Sequence, residues 1–182
     1  MRYFILLLFI IPPICGHADS NVLQRSLWAK AAKAAGVHPN TLYGIALQET
    51  GTKWDDGTFR PWPWTIYVNK GNASIKSGPY RYATKEAAIK SLTSMLDQGI
   101  NNIDVGLMQV NILWNGHRVG DKTLLLEPSV NIVVAAGILK DVSIGGDLRL
   151  AVARYHSFKA GRGAAYSKKV KHYETILDEK FE

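Results

Sequence analysis

The sequence predicts a predominantly helical α+β fold with a small β-hairpin lobe inserted early, and three observations lead there. Apolar residues recur at helical spacing in both halves of the chain. Between Trp54 and Ala83 that pattern is broken by Pro61, Pro63, Gly71, Gly78 and Pro79. The length, 182 residues of which 47% are hydrophobic, suits one well-buried core and is short for two.

The chain opens with Met1-Arg2, which carries a positive charge, followed by an apolar run from Tyr3 to Ile14 and then Gly16-His17-Ala18. That is the anatomy of a secretory signal, expected at residues 1–18 with cleavage after Ala18; retention as an amino-terminal anchor is the alternative. The run is too short to span a bilayer as a permanent helix. Cys15 follows the bulky Ile14 where lipoprotein sites prefer a small residue, so lipidation is not expected. Residues 19–182 then form one domain without cysteine, stable through its apolar core rather than disulfides. His38, His117, His156 and His172 show no metal-binding spacing, and no cofactor is expected.

In the mature region, Val22, Leu23, Leu27, Trp28, Ala31 and Ala35 predict one helix over Asn21 to Ala35, with Ser20 as N-cap and Gly36 as stop. A second helix runs from Pro39, which suits a first turn, through Leu42, Ile45 and Ala46 to Glu49 and stops at Gly51. Trp64–Val68 and Tyr80–Tyr82 are β-prone and read as an irregular hairpin. Thr84 caps a helix through Leu96 that ends at Gly99. Gly106–Asn111 follows the turn-like Asn101-Asn102, and a loop leads to helices over Pro128–Lys140, Asp147–His156 and Ala164–Leu177.

Chemistry first shows at Glu49. Leu42, Ile45 and Ala46 precede it by seven, four and three residues, so the acid continues an apolar stripe on one helical face. Burial there raises a carboxyl's pKa, and the carboxyl end of a helix disfavours negative charge; both suit a general acid working near neutral pH. A glutamate turned to solvent at a frayed helix end is the other reading.

Three segments in order, Ala46-Leu-Gln-Glu-Thr-Gly51, Gly106-Leu-Met-Gln-Val-Asn111 and Ala151-Val-Ala-Arg-Tyr-His156, resemble the soluble lytic transglycosylase family over roughly Leu42 to Tyr166. The resemblance implies a lysozyme-like fold and a peptidoglycan lytic transglycosylase with Glu49 as catalytic acid. It further implies Met108 and Gln109 in the saccharide cleft and Tyr155 near the carboxyl. The substrate would be the bond between N-acetylmuramic acid and N-acetylglucosamine, and the location periplasmic or secreted in a bacterium. One departure stands out: the family's serine ahead of a Gly-Ala pair is replaced here by Gly99-Ile-Asn-Asn-Ile-Asp-Val105.

Several residues keep two readings. Leu107 and Met108 fit core packing as well as substrate contact. Tyr155 fits an amphipathic core tyrosine, and Trp62 and Trp64 fit sugar stacking or a small aromatic core. Asp104 reads as a loop residue, yet could be the second carboxylate of a hydrolytic, lysozyme-type muramidase. From another class comes a non-catalytic module docking a secretion or conjugation apparatus to the wall. The formal charge of +7 favours an anionic polymer such as the cell wall. Nucleic acid is not an expected partner of an exported chain.

Overall fold

The computed structural model describes residues 26–181, so the leader, Ser20 and the first residues of the predicted opening helix lie outside the described residues. Among the described residues are seven α-helices and two small antiparallel sheets, an α+β arrangement. No described helix is long and apolar enough to cross a membrane.

Helix α1 (Leu27–Ala35) begins later than its apolar pattern predicts. Ser26 is extended, with φ −79° and ψ 173°, so it is the N-cap of this helix rather than one of its helical residues. Gly36 ends the helix in the left-handed conformation, φ 72°, where its N–H reaches the Ala32 and Lys33 carbonyls. Helix α2 (Pro39–Thr50) starts on Pro39, whose missing N–H costs nothing there, and His38 Nδ1 accepts from Asn40 N at 3.3 Å. Leu42, Ile45 and Ala46 are fully buried, making α2 a central element.

Past α2 the chain forms β1 (Gly51–Lys53) and β2 (Phe59–Pro61), a hairpin the sequence reading left out, then β3 (Thr65–Val68) and β4 (Gly78–Arg81). Helix α3 (Lys85–Asp97) is capped by Thr84, whose Oγ1 accepts from Ala87 N. Next come β5 (Ile103–Val105) and β6 (Val110–Asn111), and the larger sheet is ordered β4-β3-β5-β6, all antiparallel. Asp104 therefore lies in a strand, paired with Tyr67 and Asn111, and not in a loop as its neighbours Asn101-Asn102 led one to expect.

A short helix α4 (Ile112–Asn115) and two 3-10 turns lead to α5 (Pro128–Asp141), α6 (Leu148–His156) and α7 (Ala160–Phe181). Asp147 caps α6 by accepting from Leu150 N at 3.0 Å. The last helix starts four residues before its predicted onset and takes in Gly161 and Gly163, residues of low helix propensity. Gly163 instead permits close packing: a Cβ there would lie 2.8 Å from the Ser157 carbonyl and 3.0 Å from that of Ala153. Helix α7 packs along both α6 and α2, with Val170 and Tyr173 facing Gly44 of α2. Tyr166, Val170 and Leu177 on α7 are buried, and the first two join the core with Leu92, Ile103, Leu125 and Leu139.

Trp62 and Trp64 fill an aromatic cluster in the β lobe. The Trp62 ring lies 4.6 Å from Trp54 and 6.0 Å, edge-on, from Trp64, and its Nε1 donates to the Tyr82 carbonyl at 2.8 Å. Both tryptophans sit apart from the residues lining the cleft described below.

Candidate active site

The β5–β6 connection is the part of the site that sequence geometry dictates most tightly. Gly106 has φ +81°, and a Cβ at that position would collide with the Leu125 carbonyl and the Asn131 amide, so only glycine fits. Asn131, on α5 and fully buried, clips the turn from below: its Oδ1 accepts from Met108 N at 2.8 Å, and its Nδ2 donates to the Val105 and Leu125 carbonyls at 2.8 and 2.9 Å. From above, Thr50 Oγ1 donates to the Leu107 carbonyl at 2.8 Å and Tyr155 Oη to the Met108 carbonyl at 2.7 Å. The end of α2, the turn, α5 and α6 are thereby tied at one point.

Met108 has a fully buried side chain and does not line the cleft; it serves the core, and its backbone carbonyl anchors Tyr155. Gln109, the next residue, has a positive φ of 48°, a backbone state uncommon outside glycine. Leu107 is likewise buried. Gln109 lines the cleft, but its Nε2 folds back onto the Gly106 carbonyl at 2.8 Å and that of Thr65 at 3.2 Å. Its amide oxygen is the end that remains for a ligand.

Glu49, in the last turn of α2, is partly buried and opens into a cleft of about 950 Å³ shared with Asp104, Gln109, Trp114, Tyr155 and His156. Tyr166 Oη donates to Glu49 Oε1 at 2.6 Å. Burial pushes the carboxyl up from the usual range to about 7, the bond from Tyr166 opposes that rise, and the Asp104 charge adds to it. Burial also raises the Tyr155 and Tyr166 phenols well above their ordinary value, with the Glu49 charge pushing the same way, so both remain donors. A protonated acid near neutrality and two permanently protonated phenols thus converge on one wall.

On the facing wall, Asp104 accepts from Asn69 Nδ2 at 2.8 Å through one oxygen and from Asn111 Nδ2 at 2.6 Å through the other. Burial raises its pKa, and the two amides oppose this. Trp114 and Phe158, 72% and 75% exposed, present bare rings to the same cleft. An ion pair between Arg118 and Asp141, 2.6 Å, borders it.

Glu49, Gln109 and Tyr155 are thus brought together as expected, and Met108 is not. Tyr166 was missed: it stands 117 positions from Glu49, and along its helix it reads as an ordinary core residue. Asn69 and Asn111 were missed too, although the strand register that pairs Asp104 with Asn111 is the signal that could have found the second of them. No family model matches this chain, and neither a curated protein nor a solved structure matches it.

Proposed function

We propose that this protein is a peptidoglycan lytic transglycosylase with a lysozyme-like catalytic domain, acting on the β-1,4 bond between N-acetylmuramic acid and N-acetylglucosamine. The observation that carries the reading is a carboxyl held protonated up to about pH 7 at the wall of an open cleft, hydrogen-bonded by a buried phenol. The ordered Glu-Thr-Gly, Gly-Leu-Met-Gln and Arg-Tyr-His segments that resemble the soluble lytic transglycosylases supply the elements meeting at that carboxyl.

In this reaction Glu49 gives its proton to the glycosidic oxygen as the bond from the anomeric carbon breaks. The substrate's acetamido carbonyl stabilises the positive charge left behind. The sugar's own C6 oxygen then attacks that carbon and releases its proton to the ionised Glu49, which regenerates the acid and closes a 1,6-anhydro ring. No water enters. An intramolecular nucleophile has already lost its entropy, so no second carboxylate is required to position one. Burial is what chiefly keeps Glu49 protonated, and Asp104, with both oxygens engaged by amides, adds a smaller push in the same direction. Trp114 and Phe158 offer flat apolar faces of the kind that pack against sugar rings.

One observation favours a second reading: Asp104 shares the cleft, which allows a two-carboxylate hydrolysis. The two differ in product, since hydrolysis leaves a reducing end. Digestion of purified sacculi by the wild type and by Glu49→Gln tests the catalytic reading. Solubilisation by the wild type and a loss of about 100-fold or more in the variant are expected, the scale of a missing general acid. Equal rates would refute the role of Glu49, and no turnover by either would favour a wall-binding module.

A further inference from the structure

We propose that His156 is a positioning residue: its imidazole, stacked on the ring of Tyr166, fixes the phenol that orients the Glu49 carboxyl. The inference rests on the reading of Glu49 as the acid. His156 is the last residue of α6 and Tyr166 lies in the second turn of α7, so the stack bridges the joint between the two helices. The rings are parallel within 2° and their centroids are 4.5 Å apart. No second hydrogen-bond donor reaches the Glu49 carboxyl among the described residues, so its orientation depends on where Tyr166 holds its hydroxyl.

Tyr166 is 5% exposed and is not among the residues lining the cleft, whereas His156, stacked on it, is. A basic side chain at a helix carboxyl end has an ordinary use, pairing with the terminal carbonyls, but that use needs the cation and not a parallel stack. The surroundings favour the neutral ring. Burial lowers the His156 pKa; Asp104 on β5 raises it, while Arg162 and Lys169 on α7 lower it further. Glu49 on α2 and Tyr155 on α6 also act on the Tyr166 phenol, and both raise its pKa. A stack of two neutral rings is therefore the arrangement these surroundings favour.

The full-length protein and its His156→Ala and His156→Phe variants separate this role from others, with the Glu49 titration read by carboxyl carbon NMR in the free protein. The bond from Tyr166 lowers the Glu49 pKa, so loosening it in His156→Ala moves the titration midpoint up by about 0.5 to 1 unit. On soluble glycan chains the same variant loses about 10-fold in kcat with KM unchanged, less than the cost of misplacing a catalytic group by about 1 Å. His156→Phe keeps the stack and matches the wild type in both readouts. An unmoved midpoint in His156→Ala overturns the proposal, and so does a His156→Phe variant that behaves like His156→Ala. The midpoint is read without substrate, so full activity of Glu49→Gln would sink the catalytic reading and leave the positioning result standing.

Discussion

In the proposed reaction the Glu49 side chain is useful because its charge is costly where it sits. Its folded pKa of about 7 lies above the ordinary 4.5. A raised value means that its contribution to stability is fully present below about pH 4.5 and is lost as pH rises through 7. Above that, the ionised carboxylate destabilises the fold by up to about 3 kcal/mol, the equivalent of the shift. Glu49→Gln is accordingly expected to be more stable than the wild type at pH 8, with the gap closing by pH 4, and urea denaturation at the two pH values checks this. In the proposed reaction Glu49 must enter protonated, so turnover is expected to fall as pH rises through 7. Tyr166→Phe removes a bond that lowers the pKa, so the basic limb of its pH–rate profile moves to higher pH, opposite to what losing a mere core contact would do. The carboxyl stripe of Leu42, Ile45, Ala46 and Glu49 was legible from spacing alone. The phenol that meets it was not, since a hydroxyl on a buried helix face leaves no periodic trace.

Among the elements, the β5–β6 turn holds the site together through backbone groups. Asn131→Ala would leave the Met108 N–H and the Val105 and Leu125 carbonyls without their buried partner. A loss of about 2 to 4 kcal/mol in unfolding free energy is expected from a network of that kind, measurable by chemical denaturation. Most helices were legible because their ends are marked: Pro39 and Gly51 bound α2, Thr84 caps α3, Pro128 opens α5 and Asp147 caps α6. The misreadings have physical causes. Glycines that serve helix packing, such as Gly163, look like breakers, and a short strand such as β5 is defined by its partners β3 and β6 rather than by its own three residues. Asp104 looked like a loop residue for that reason.

Across the whole molecule, the cleft runs between the β3-β5-β6 face of the sheet and the α5–α6 end of the helical body, with Glu49 supplied by the central helix. Neither wall is continuous in sequence, which is why the positions of Trp114 and Phe158 at its edge were not legible. Trp114→Ala is expected to raise KM about 3- to 10-fold with kcat nearly unchanged, the range of one aromatic stacking contact, in kinetics on soluble glycan chains. The central claim is that one protonated carboxyl and the sugar's own hydroxyl suffice to cut the strand. Mass spectrometry of the fragments released from sacculi in ¹⁸O-labelled water tests it most directly. The account predicts unlabelled 1,6-anhydro ends, each lighter by one water than a hydrolysed fragment; reducing ends carrying ¹⁸O would contradict it.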